Sequence, residues 1–400
     1  MKRFISIQNG ARRNYAIPII LQQAGLLEAF YTDLCANSGI GRILDRFCPD
    51  FVKNDALNRL LNRRVPSLIQ DKVHTFDLVA LRYLARQKLA GNNTVKQYQS
   101  LFASNHEFGQ AMIRKGLGKA THIYSMFGEG TDFLEYAKQK QIKIFTEIYI
   151  SPIIHTIVQR EREEFHDLEP LMAQKIIEQD YTSFQRFINL TDIFIVPSSF
   201  VVKGLQEFGV SPEKCQIVPY AVGDSWFKLK NNPQKNRILF VGTAELRKGI
   251  HILGMAAKKL SHRNYEFRVA GGVSDIIRNH KLTEKINFVG RVPRSQIHQE
   301  FMQADIFVLP TLVEGSAEVV YEALAAGLPV ITTEAAGSVI RDGIEGFIIP
   351  ERNSEILANR IEELLENREL RDRMAIAARE RAKDFTWDKY AERVINVVNS

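Results

Sequence analysis

DIFVLPT, Asp305 to Thr311, runs through a short loop into EGSAEVVYEALAAGLPVI, Glu314 to Ile331. The first part is an apolar run without alternation, the pattern of a parallel strand covered on both faces. A helix pattern follows, then Gly327, Pro329 and a second apolar run, so the stretch predicts strand, helix and strand. In a doubly wound sheet, the loop at the carboxyl end of a strand faces the ligand crevice. Glu314 lies in that loop and Glu322 more than a turn inside the helix. A carboxylate accepts hydrogen bonds from two vicinal hydroxyls, and a helix start at Gly315 and Ser316 offers bare N–H groups to an anion. Sugar hydroxyls, ribose hydroxyls and a diphosphate are the guests this chemistry fits. A solvated acidic stripe is the plainer alternative, since Glu318 and Glu322 share a face, but it leaves Glu314 and the Ala-Gly-Leu-Pro-Val ending without a reason.

The same alternation extends both ways along the chain. In the second half, RILFVG (Arg237 to Gly242), YEFRVAG (Tyr265 to Gly271), KINFVG (Lys285 to Gly290), DIFVLP, LPVITT (Leu328 to Thr333) and EGFIIP (Glu345 to Pro350) read as strands. Helical segments such as Gly249 to Leu260 and Arg294 to Gln303 separate them, the arrangement of an α/β protein. The first half repeats the idea with FISIQ, THIYS (Thr121 to Ser125), KIFTEI (Lys143 to Ile148) and DIFIVPS (Asp192 to Ser198). Its middle, residues 50–115 and 152–190, reads as largely helical. An extended passage from Gln216 to Phe227 and a polar linker from Asn231 to Asn236 suggest two domains, 1–222 and 223–384. Residues 385–400 form an amphipathic helix carrying Trp387, Tyr390, Val394, Val397 and Val398.

After RILFVG comes TAELRKGI, with Gly242 at the strand end and Arg247-Lys248-Gly249 opening the next helix. A diphosphate calls for cations that stay charged; Arg supplies a fork and Lys a point charge. Bare cations at a helix start work against the helix dipole, so a ligand accounts for them better than solvent does. Together with Glu314, Glu322, Ala323, Ala325, Gly327, Pro329 and Val330, this pattern resembles the signature of the family-4 retaining glycosyltransferases. Ala317 and Thr243 depart from it, standing where that family commonly has Gly and Arg. The resemblance is specific from about Cys215 to Pro350.

It implies two facing Rossmann-like domains of the GT-B type, with the active site in the cleft and the last helix packing back on the first domain. Arg247 and Lys248 would hold the diphosphate of a nucleoside diphosphate sugar, Glu314 the sugar hydroxyls and Glu322 the ribose. Gly242, Gly315 and Ser316 would line the donor, and Val292, in FVGRVPRSQI, would touch the base beside Arg291 and Arg294. On the acceptor side the resemblance points to the first loop, NGARRNY, with Gly10 and Arg12. The position where many members carry a His near the reacting centre is matched here by Glu147, with His155 further on. The acceptor would be a glycan or a lipid-linked hydroxyl. A nucleotide-sugar epimerase of the same architecture and a basic membrane- or glycan-binding protein with an inactive pocket are the alternative readings.

The 400 residues, 45% hydrophobic and 25% charged, have the composition of a soluble globular enzyme. Three cysteines without C-x-x-C spacing argue against a disulfide framework or zinc site and for a cytoplasmic setting. The opening MKRFISIQNG reads as a first strand rather than a signal peptide. No G-x-G-x-x-G follows it, which counts against a dehydrogenase, and no G-x-x-x-x-G-K-[ST] occurs, which removes P-loop enzymes. The absence of Asp-x-Asp predicts transfer without a metal or other cofactor, and that of G-x-S-x-G removes the common hydrolase elbow. Residues 1–150 hold 21 Lys and Arg against 12 Asp and Glu, a surplus of 9 where the whole chain carries +7. Arg12, Arg13, Arg59, Arg63, Arg64, Arg82, Arg86 and Lys88 supply much of it. This suggests reversible contact with the anionic inner face of a membrane; nucleic acid is not expected, for no recognition motif accompanies the charge.

Overall fold

A computed structural model describes residues 2–48 and 61–400. Runs of Ile, Val, Leu and Phe form two all-parallel sheets. The first contains β1 (Phe4–Ile7), β2 (Leu27–Thr32), β3 (Val73–Thr75), β4 (His122–Met126), β5 (Lys143–Glu147), β6 (Ile193–Val196) and β7 (Cys215–Ile217), in the order 3-2-1-4-5-6-7. The second contains β8 (Arg237–Val241), β9 (Glu266–Ala270), β10 (Ile286–Gly290), β11 (Ile306–Leu309), β12 (Val330–Thr333) and β13 (Gly346–Ile349), in the order 10-9-8-11-12-13. Both orders reverse beside the first strand of their sheet, which opens a crevice at the strands' carboxyl ends. The fold is α/β, with two Rossmann-like domains. All six strands predicted in the second half form. In the first half β2, β3 and β7 form as well, though the sequence reading passed over them; β3 and β7 have three residues each, too few to show a pattern.

Burial follows the strand runs, and Ile306 through Leu309 are fully enclosed. The helix Glu318–Ala326 ends at Gly327, whose φ of +74° is a left-handed cap that side chains rarely adopt. Buried charge is matched: Asp305 takes Arg368 at 2.9 Å and Arg371 at 3.3 Å, tying the helix Arg368–Ala382 to the sheet.

The two sheets present their carboxyl ends to each other. Ser198, after β6, donates to the Gly315 carbonyl after β11 at 2.5 Å. Glu169 accepts from the Leu246 N–H at 2.6 Å. A Cβ on Gly315 would overlap the Tyr149 carbonyl, so only glycine lets the two backbones meet there. The closing helix Trp387–Asn399 buries Tyr390, Val394 and Val398, and its Val398 carbonyl accepts from Lys2 at 2.9 Å. None of the described helices is long and apolar enough to cross a membrane.

Candidate functional site

In the second domain the cations gather at the end of β8. Leu246–Lys248 form a short turn, and Gly249, at φ +73°, turns the chain into the helix Ile250–Lys259. A Cβ on Gly249 would overlap the Pro310 carbonyl, so the turn needs glycine to lie against β11. Thr311 and the Leu312 N–H both donate to the Arg247 carbonyl, at 2.9 and 2.8 Å. Fixed in this way, Arg247 Nη1 lies 2.8 Å and Lys248 Nζ 3.2 Å from Glu314 Oε1. Lys248 also rests against Gly242, where a side chain would crowd its amine. Burial opposes the Arg247 charge, but Glu314 and Glu245, the latter 2.7 Å away, outweigh it and raise its pKa. The structure thus brings Gly242, Arg247, Lys248 and Glu314 together, with Glu245 as a partner the sequence reading missed.

Glu322 stands on the helix Glu318–Ala326 and is 4% exposed. One oxygen pairs with Arg294, which reaches in from the loop after β10; the other, Oε2, is buried without a hydrogen-bond partner among the described residues. Burial pushes its pKa up to about 6, Glu318 adding to the rise and Arg294 opposing it. Val292, two residues before Arg294, is partly buried against the same core. Gly315 and Ser316 belong to the loop, because the helix begins at Glu318 with Ala317 as its cap. Nor is the Ser316 hydroxyl open to a ligand: it bonds the Gly337 carbonyl at 2.7 Å and the Tyr321 hydroxyl at 2.8 Å.

The first-domain expectations need more correction. Glu147 is 1% exposed, paired with Arg13 and accepting from Tyr124 at 2.9 Å. It is a buried counter-ion, not a group facing an acceptor. Arg13 itself lies 4.4 Å from the Tyr220 ring and 5.5 Å from that of Tyr390, so it joins the first loop to the closing helix. His155 pairs with Asp180 at 2.8 Å in the wall of a first-domain cavity. Gly10, at φ +71°, donates to Asp33 at 2.9 Å, and Arg12 lies 4.0 Å over the Tyr149 ring.

Sequence reasoning missed Tyr149 and Glu129. Glu129 follows β4, is 7% exposed and accepts from the Asn9 N–H at 2.8 Å. Burial raises its carboxyl to about pKa 8, against the pull of Arg12 and that hydrogen bond. Its place in GEG directly after a strand was the signal available.

The expected basic face is also reduced. The Arg13 side chain is buried against Glu147, Arg63 and Arg64 pair with Asp33 and Asp45 at 3.0 and 2.7 Å, and Arg82 and Arg86 share Glu107. Arg59 lies outside the described residues.

Residues 224–381 match the family model described as glycosyl transferases group 1. D-inositol 3-phosphate glycosyltransferase of Corynebacterium diphtheriae is 24% identical over 289 residues, 64% of this chain and 66% of that protein. Spore coat protein SA of Bacillus subtilis is 30% identical over 41% of this chain and 48% of its own length. Sulfoquinovosyl transferase of Arabidopsis thaliana is 26% identical over 54% and 46%. The chain therefore spans about half to two thirds of the length of these curated relatives. Among solved structures, sucrose-phosphate synthase from Thermosynechococcus elongatus superposes with a TM-score of 0.68 at 16% identity, covering 100% of this chain and 98% of that one. Anabaena HepE in complex with UDP and glucose gives 0.62 at 13%, covering both chains fully. These likenesses show the two-domain GT-B fold, and the family match is to glycosyl-transferring enzymes.

Proposed function

We propose that the protein is a retaining glycosyltransferase, moving a sugar from a nucleoside diphosphate sugar to a hydroxyl of a glycan or lipid-linked acceptor in polysaccharide or glycolipid synthesis. The donor side is assigned to residues 223–384, the acceptor side to 1–222, with 385–400 returning to the latter. The observation that carries this reading is the convergence of Arg247 and Lys248 on one carboxylate oxygen of Glu314. Two cations held on a single anion form a ready place for a diphosphate, which would take over the charge Glu314 now supplies and free that carboxylate for sugar hydroxyls. As the sugar–phosphate bond breaks, Arg247 and Lys248 stabilise the charge growing on the leaving group. Glu322, with one buried oxygen unpartnered among the described residues, accepts from the ribose once Arg294 swings out.

With these cations in place, transfer proceeds without a divalent metal. Contact with an anionic membrane surface is retained as part of the proposal, resting on the surplus charge of residues 1–150.

The first test is a melting-temperature panel with UDP, GDP, ADP and CDP, UDP being the nucleotide in the HepE complex. One of them should raise the melting temperature, because a ligand that binds only the folded state stabilises it. No shift with any of the four would overturn the donor assignment.

A further inference from the structure

The first domain encloses a cavity of about 590 Å³, in the size range that holds a drug-sized ligand. Its two ends differ in chemistry. At the strand ends lie Asn9, Arg12, Glu129 and Tyr149, and the Tyr149 carbonyl abuts Gly315 of the second-domain site. This end therefore opens beside the place assigned to the sugar. The other end lies among the helices Asp77–Ala90, Thr94–Lys115 and Gln174–Leu190 and is lined by Leu84, Leu101, Phe102, Phe108, Phe184 and Phe208.

Charged groups do reach the helical walls, but they are matched to one another. His155 holds Asp180 at 2.8 Å, while His106 and Arg186 both hold Asp132, at 2.5 and 2.8 Å. Among the described residues a polar ligand would find no unmatched charge there and would lose its own hydration; a hydrocarbon chain loses nothing by leaving water. The apolar surface also continues outward. Leu84 and Leu101 line the cavity yet are 42% and 40% exposed, and Leu89 on the first of these helices is 84% exposed. At the strand-end side the raised pKa of Glu129 leaves its carboxyl protonated at neutral pH, able both to donate to a hydroxyl oxygen and to accept from a hydroxyl.

We propose that this cavity binds an amphiphilic acceptor, a single hydrocarbon chain bearing a hydroxylated head, with the head at Glu129 and Arg12 and the chain among the helical aromatic side chains. The word acceptor rests on the transferase reading; the binding of the chain stands apart from it.

The test uses the full chain and calorimetric titration with methyl, octyl, decyl and dodecyl β-glucosides, each kept below its micelle concentration. Affinity should climb with chain length, by up to about fourfold per methylene, which is the transfer free energy of one CH2 group. Leu101→Asp, at a half-exposed position, should flatten that climb, and Ser104→Phe, which fills the cavity without adding charge, should do the same. Both variants should melt as the parent does and keep its nucleotide-induced shift. Equal affinity for all four glucosides, or a chain-length dependence untouched in both variants, would overturn the proposal. A parent protein that binds dodecyl glucoside but no nucleoside diphosphate would instead overturn the transferase reading and leave the chain site standing.

Discussion

Glu322 carries a buried carboxylate oxygen that no described residue satisfies, beside an arginine whose side chain is 72% exposed. An unsatisfied buried acceptor is costly, and a vicinal diol is the group that would answer it. Glu322→Gln should leave melting unchanged or slightly raised and weaken nucleotide binding by about 1.5–3 kcal/mol, read by calorimetry. The pKa of about 6 gives that binding a pH dependence. Because the folded-state pKa lies above the ordinary carboxyl value, the fold loses stability through this group as pH rises from about 4.5 to 6. Nucleotide affinity should rise over the same window as the carboxylate forms between Arg294 and Glu318, then level off; the Gln variant should show no such step. Glu147 behaves differently. Its removal strands the Arg13 guanidinium, and breaking a buried pair from one side costs about 3–5 kcal/mol. Glu147→Ala should therefore lower the melting temperature sharply. Loss of transfer with melting unchanged would show that Glu147 faces the reacting centre after all.

Two tight turns do the positioning at the scale of elements. In the second domain, Leu246–Lys248 and Gly249 hold two cations against β11, with the Arg247 carbonyl fastened by Thr311 and Leu312. In the first, Arg13, Asn14 and Tyr15 lie at φ 45°, 51° and 63°, a left-handed run that costs residues with side chains roughly 1–2 kcal/mol each. The buried Arg13–Glu147 pair and the rings of Tyr220 and Tyr390 hold that run in place. Replacing Arg247 and Lys248 together with Ala should reduce transfer by several kcal/mol in barrier, since one preorganised donor alone is worth about 3. Activity in excess chelator should match activity without it. If chelator abolishes transfer and magnesium restores it, a metal carries the charge that is assigned here to the turn.

The two domains meet through a latch that is buried and ionic. Glu161, on the first-domain helix Ile154–Glu164, bonds His251 of the second domain at 2.6 Å and pairs with Arg352. Glu161→Ala removes the carboxylate both partners share. The variant should adopt a more open form, with a larger radius of gyration by X-ray scattering, and show lower transfer with nucleotide binding retained; an unchanged radius would deny the latch its role in closure. The second domain was legible in the sequence because its strands are apolar runs of four or five residues alternating with helices, and because Gly249 and Gly327 stand at turns that favour glycine. The meeting of Arg247 and Lys248 with Glu314 could be anticipated too, since charged side chains at strand and helix ends have few structural reasons to be there. The first domain was legible only in part: β1, β4, β5 and β6 showed as apolar runs, whereas β3 and β7 are short and β2 mixes Glu28 and Thr32 into its run, and a carboxylate such as Glu147 looks the same in a sequence whether it faces a ligand or an arginine. Partner choice there depends on which loops the sheet order brings together. The sequence by itself determined the second sheet, the central strands of the first and the residue types at their ends; only the tertiary structure decided that Glu147 is a buried counter-ion, that Glu129 borders the cavity, and that Arg294 covers Glu322, because those outcomes are set by contacts between residues far apart in the chain.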